Sequence, residues 1–223
     1  MSFNDNTKTV VFGGTSGIGR AVARALESRP GTVLTASRST GLDVADTAAV
    51  TAWFEQHGPV DHVIFTAGSQ APGGAVADLD LAAAKAAFDI KFWGAIGVAQ
   101  AAAAHLRPHG TLTLTSGFLA RRTVPGTFVK TAINAALEVS AKLLAKELAP
   151  LRVNIVSPGL TDTEAYSGMA EKARIQMLES AAAKLPAGRV TQPEDIAAGY
   201  LFVIDNAAIT GAVIDIDGGA LIN

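Results

Sequence analysis

The chain contains no cysteine in its 223 residues. That removes disulfides, thiolate metal ligands and a cysteine nucleophile together, and leaves nothing that points to a secreted scaffold or a zinc ribbon. Net charge is only −2, too little basic character for a nucleic-acid footprint. No uninterrupted apolar run reaches membrane-spanning length, and Met1-Ser2-Phe3-Asn4-Asp5-Asn6 has no basic segment followed by an apolar stretch. The expectation is a cytoplasmic protein without membrane or nucleic-acid partners. The histidines, His57, His62, His105 and His109, show no ligand spacing with acids, so no metal is expected. What the chain has is 49% hydrophobic and 17% charged residues, enough for one domain over 1–223 that buries its own core.

The most specific stretch is Val10-Val11-Phe12-Gly13-Gly14-Thr15-Ser16-Gly17-Ile18-Gly19, where a buried apolar run breaks into a glycine loop and then into the helical pattern of Arg20 to Leu26. In that order Gly13 permits a tight turn, Gly17 lets backbone approach a pyrophosphate, and Gly19 lets the helix pack on the strand. The helix N-terminus adds unpaired N–H groups and a positive dipole end.

Short β-branched runs at Thr9–Phe12, Thr32–Ala36, His62–Thr66, Thr111–Thr115, Arg152–Val156 and Val213–Ile216 are predicted strands. Between them the pattern predicts helices at about Ile18–Ser28, Thr47–Gln56, Leu81–Leu106, Thr131–Leu148 and Pro193–Val203. This alternation predicts an α/β fold, a doubly wound open parallel sheet of Rossmann-like type, with its ligand outside the carboxyl ends of the strands. The irregular segment of about 161–188, with a helical patch near Glu171 to Ala183, suits a lid over a substrate.

From Thr9 to the C-terminus the chain resembles the short-chain dehydrogenases and reductases of the single-domain type. The resemblance rests on an ordered set of motifs. These are Gly13 to Gly19, Asp43-Val44, Thr66-Ala67-Gly68, Ser116, Leu144-Ala145-Lys146-Glu147-Leu148-Ala149-Pro150, Val153-Asn154, Ser157 to Thr163, and Thr210-Gly211 through Asp217-Gly218-Gly219. Phe12 stands where the family usually has Thr, and Thr66 where it often has Asn. The resemblance implies a nicotinamide cofactor held by Gly13, Thr15, Ser16, Gly17, Ile18 and Gly19, with Asp43 and Val44 at the adenine and Ala67 and Gly68 beside the cofactor. It also implies that Pro158, Gly159, Leu160, Thr161 and Thr163 fix the nicotinamide, that the substrate is a small carbonyl or alcohol, and that the assembly is a homotetramer. The alanine runs Ala101 to Ala104 and Ala135-Ala136-Leu137 are expected to be exposed for that packing.

At the end of the second strand, Ser37-Arg38-Ser39 carries no acid to bond a ribose 2′-hydroxyl. Arg38 and its flanking hydroxyls suit a 2′-phosphate, so NADP(H) is expected in preference to NAD(H). Only Thr40, Gly41 and Leu42 separate this strand end from Asp43, so the helix usual there is trimmed away.

The family's Ser, Tyr, Lys and Asn are not all matched. Ser116 is retained. Counting back from Leu144-Ala145-Lys146 places Lys130 at the Tyr position, with Val129 a weaker candidate, and Asn134 at the Lys position. Lys91 falls at the Asn position, so Lys and Asn look exchanged between 91 and 134. In this reading Ser116 orients the substrate oxygen, Lys130 supplies a proton or positive charge, and Lys91 supplies the ribose-binding cation beside Asn134. The alternative is a nucleotide-binding sensor with little turnover. Tyr166 is expected to pack at the rim, Arg121 and Arg122 to form a solvated loop pair, and Asp215 and Asp217 to be sheet-edge and turn residues.

Overall fold

The computed structural model of the chain describes residues 3–68 and 70–223. Its strands are β1 (Lys8–Phe12), β2 (Thr32–Ala36), β3 (Val60–Phe65), β4 (Leu106–Thr115), β5 (Arg152–Pro158) and β6 (Val213–Ile216). They form one parallel sheet in the order β2-β1-β3-β4-β5-β6. The helices are α1 (Gly17–Glu27), α2 (Thr47–His57), α3 (Leu81–Phe88), α4 (Gly94–Ala103), α5 (Phe128–Glu147), α6 (Glu171–Ala182) and α7 (Pro193–Asp205).

Side chains alternate across a strand, so neighbouring residues of one run belong to different layers. Val10 and Phe12 join Val50 and Phe54 of α2, Val98 of α4 and Leu137 of α5 on one face. Val11, between them, meets Val22 and Leu26 of α1 and Ile196 and Tyr200 of α7 on the other. Covering both faces explains why β3 is buried at every residue. Each fully buried Val, Leu or Phe contributes about 1.5–3 kcal/mol, so these layers supply the main stabilisation.

The chain leaves β1 for β2 on one side and returns to β3 on the other. Connections therefore diverge between β1 and β3, which opens a crevice at their carboxyl ends. β2 is followed by only a short 3₁₀ turn, Arg38–Thr40, closed by Gly41 in the left-handed region.

All the expected strands and helices are present, with informative shifts. β4 begins at Leu106 rather than Thr111, because Val60 N–H bonds the carbonyl of His105 and draws that segment beside β3. The helix expected over 81–106 is broken at Asp89–Trp93 by a π turn, a feature that commonly re-aims a side chain. α5 starts at Phe128, which puts Lys130 inside its first turn.

The exposed alanine runs are corrected in part: Ala101, Ala102 and Leu137 are buried in the core, whereas Ala103 and Ala104 are exposed and Ala135 and Ala136 half-buried. The exposed apolar side chains nearby include Trp93 before α4 and Phe128, Val139 and Leu143 on α5. No described helix is long and apolar enough to cross a membrane.

Candidate functional site

A cleft of about 750 Å³ runs along the carboxyl ends of the strands, from the glycine loop to α5. Its floor is made by close backbone approach. Gly13 has φ +85°, and a Cβ on Gly19 would lie 2.2 Å from the Gly13 carbonyl oxygen, so no larger residue allows α1 to meet this loop. Ser16 caps α1 without a side-chain bond, and the first turn contains no acid. The amides there face the cleft as donors, and one has found an internal anion. Gly17 N–H donates to Glu164 Oε2 at 2.9 Å, while Arg20 pairs with the same carboxylate. Its own backbone N–H first, then Arg20 and Gly17, holds Glu164 below the usual carboxylate range.

At the end of β2, the hydroxyls of Thr15, Ser37 and Ser39 close a ring of hydrogen bonds of 3.1, 2.8 and 3.1 Å. Arg38 lies exposed beside them, and Leu42, Asp43 and Val44 continue the wall. Ala67 and Gly68 line the cleft after β3, as do Pro158 to Thr161 and Thr163 after β5. This donor set fits a nicotinamide dinucleotide: a loop without Cβ atoms, a helix N-terminus already engaging an anion, and a basic hydroxyl cluster.

At the other end, the π turn aims Lys91 inward. Its Nζ donates to Asn134 Oδ1 at 2.7 Å and to the Ser116 carbonyl at 3.2 Å. Burial, and then the charge of Lys130, lower Lys91 to about 8. Lys130 lines the same cleft, whereas Val129 is buried in the core, so of the two it is Lys130 that faces the site. The Ser116 hydroxyl donates to Glu138 Oε1 at 2.9 Å. Toward the cleft it therefore offers lone pairs. Glu138 in turn meets Arg121 Nε at 3.0 Å, and Arg121 pairs with Asp215.

The structure thus brings together Lys91, Ser116, Lys130 and Asn134, together with the expected loop and wall residues. It corrects Arg122, which is half-buried and donates to the Ala220 carbonyl. Arg121 is an exposed loop residue as expected, and it also bridges Glu138 and Asp215. Asp215 accordingly has a partner as well as an edge position, while Asp217 accepts from Gly219 and Leu221 N–H as a turn residue does. Tyr166 lines the cleft, and burial followed by Asp162 raises its phenol. Tyr200 is buried in the core and bonded to Thr115. Two acids were missed. Glu138 follows Lys130 and Asn134 at successive four-residue steps of one helix, a spacing that places all three on one face. Glu164 adjoins Thr163, but no local pattern ties it to Gly17.

The sheet order, the glycine loop at its switch point and the polar cleft define a dinucleotide-type α/β oxidoreductase fold. The model for the family described as "Enoyl-(Acyl carrier protein) reductase" matches residues 13–220. The chain belongs to the short-chain dehydrogenase/reductase family. A solved small-chain dehydrogenase in complex with NADPH is 53% identical, with a TM-score of 0.96, over 98% of this chain and 100% of that one. Among curated proteins, a short-chain dehydrogenase/reductase of Stachybotrys chlorohalonatus is 34% identical over 74% of this chain and 65% of its own length. A second, from an Acremonium species, is 31% identical over 96% of this chain and 94% of its own length. The chain spans just under two thirds of the length of the first curated relatives it matches.

Proposed function

We propose that the protein is an NADP(H)-dependent oxidoreductase of the carbonyl reductase or alcohol dehydrogenase type, working without the family's Tyr and Lys on α5. The observation that carries this is the Lys91–Asn134 hydrogen bond at 2.7 Å, within the same cleft as the glycine loop. An ammonium and an amide face the space between α5 and the π turn, with their helices exchanged relative to the family's arrangement.

When bound, the nicotinamide supplies the hydride chemistry. Arg38 and the hydroxyls of Thr15, Ser37 and Ser39 hold a 2′-phosphate, and the Ser37-Arg38-Ser39 stretch carries no acid to repel it, which supports NADP(H) over NAD(H). The similar small-chain dehydrogenase with NADPH supports the same choice. Lys91 binds the ribose hydroxyls beside Asn134. Lys130 stabilises negative charge on the substrate oxygen or gives it a proton. Ser116 accepts from a substrate hydroxyl in the rotamer seen, or turns its proton from Glu138 toward a carbonyl.

In this reading residues 1–223 act as one domain, with 161–188 as the lid, in a cytoplasmic homotetramer built on α4, α5 and β6. Val139 and Leu143, exposed on α5, support that assembly, which light scattering at micromolar concentration tests. The second reading, a cofactor-binding protein with little turnover, is favoured by the Ser116 proton being engaged by Glu138. Fluorescence titration with NADPH, followed by cofactor consumption with a panel of carbonyls and alcohols, separates the two. Turnover supports the oxidoreductase, whereas tight binding with no consumption across the panel refutes it in favour of the binder.

A further inference from the structure

Glu164 stands in a contact that the cofactor reading does not use. It belongs to the short turn Glu164–Tyr166, in the segment between β5 and α6, yet its carboxylate reaches 147 positions back to Gly17 N–H at 2.9 Å. Arg20, one helical turn into α1, pairs with its other oxygen. The Thr163 side chain lies against Gly17 as well, within 3.6 Å of where a Cβ there would stand.

A helix N-terminus favours an anion because its first amides lack intrahelical acceptors and its dipole end is positive. A carboxylate seated there does for these groups what a phosphate oxygen does. α1 has no acid of its own in its first turn. The occupying charge therefore comes from the segment that overlies the cleft.

We propose that Glu164 is an internal phosphate mimic, a latch that holds the Glu164–Tyr166 turn down on the α1 N-terminus until a dinucleotide pyrophosphate displaces it. The inference rests on the cofactor reading above. Two negative groups do not share these amides, so cofactor binding moves Glu164 outward and frees Arg20 to face the incoming phosphates. The turn also contributes Tyr166 to the cleft wall, so release of the latch alters the substrate end at the same time. Both partners are nearly half exposed, with side-chain exposures of 43% and 46%. The latch is accordingly weak enough for a ligand to open it.

The test is Glu164→Gln, with Glu164→Asp as a second variant that keeps the charge but shortens the reach. NADPH affinity is read by fluorescence titration, and association by stopped flow. The 161–182 segment is followed without ligand by hydrogen exchange. A latch that closes most molecules lowers apparent affinity in proportion to the open fraction. Both variants are therefore expected to bind NADPH roughly three- to tenfold tighter. The wild-type association rate should level off with NADPH concentration at the opening rate, a plateau that E164Q removes. Exchange in the ligand-free segment should rise in both variants. If wild type binds NADPH, and E164Q neither binds it tighter nor exchanges faster, the latch is overturned and the cofactor reading stands. If neither form binds NADPH yet exchange rises in both variants, the latch contact is upheld while the cofactor reading fails.

Discussion

Exchanging the residues at 91 and 134 tests the centre of the proposed site. The Lys91 ammonium already makes two donor contacts, to Asn134 Oδ1 and to the Ser116 carbonyl, which leaves one N–H for a ribose hydroxyl. A hydrogen bond from a charged group contributes about 1.5–3 kcal/mol, or roughly a 10- to 150-fold change in dissociation constant. Lys91→Asn should therefore weaken NADPH binding by about that factor and reduce any turnover at least as much. Adding Asn134→Lys returns the ammonium to the same space from α5 and should recover most of both losses, because residues sharing one network couple non-additively. Fluorescence titration of wild type, single and double variants, each checked by circular dichroism for folding, gives the comparison. A pH series adds a second arm. Lys91 is lowered to about 8, so its charge is present below that pH and lost above it. Wild-type affinity should fall as pH rises through 8, and the Lys91→Asn protein should show no such fall. A single variant that binds like wild type, or a double variant no tighter than the single one, refutes the exchange.

Arg38→Ala should weaken NADPH binding by about 1.5–3 kcal/mol and leave NADH within twofold, roughly the scatter of such a titration; equal losses in parallel titrations would remove the phosphate role. His62 is buried and shares a 2.9 Å hydrogen bond with Thr111, and burial lowers it from 6.5 to about 4. The unfolded chain takes up that proton near 6.5 while the folded protein resists it, so this part of the stability is complete above 6.5 and is lost as pH falls toward 4. It amounts to roughly 3 kcal/mol. Urea unfolding at several pH values should show that slope, and His62→Gln should flatten it. Glu138→Ala leaves the buried Ser116 hydroxyl without its acceptor, while Arg121 is exposed and keeps Asp215 as a partner, so the fold should lose about 1–3 kcal/mol, whereas a melting temperature within a degree or two of wild type would mean the Glu138 contacts are not formed.

The sheet was legible in the sequence because its strands are β-branched runs, the inner ones buried on both faces, set off by nearby glycine or proline. The phosphate loop was legible because close backbone approach demands glycine at particular positions. The helix faces were harder. Alanine-rich helices such as α4 show little contrast between faces, so Ala101 and Ala102 read as exposed although the core covers them. Lys91 was found through register with the family, not through a local pattern, and the π turn that aims it has no sequence signature. Contacts closed by the fold alone stayed hidden: Arg121 meets Asp215 across 94 positions, and Gly17 meets Glu164 across 147.

In the proposed site the departures from the family's pattern fall at positions 91, 130 and 134, and the quality of the packing there bears on whether such a site works or has decayed. A site that has lost its function has no reason to keep polar groups buried, since stability alone is served as well by apolar side chains and an unpaired buried polar group costs about 1–3 kcal/mol. Drift would then fill the space with apolar side chains. Instead the Lys91 ammonium is bonded to Asn134, Ser116 to Glu138, and Glu138 to Arg121. Among the described residues the one buried side-chain polar atom without a partner is Thr113 Oγ1, in β4 and outside the cleft wall. Lys130 adds a second positive charge beside Lys91, and that repulsion contributes to its lowered proton affinity. An apolar replacement at either position would relieve the repulsion. Two like charges kept together in a cleft of this size are a cost to the fold, and such costs concentrate where a protein binds or transforms something.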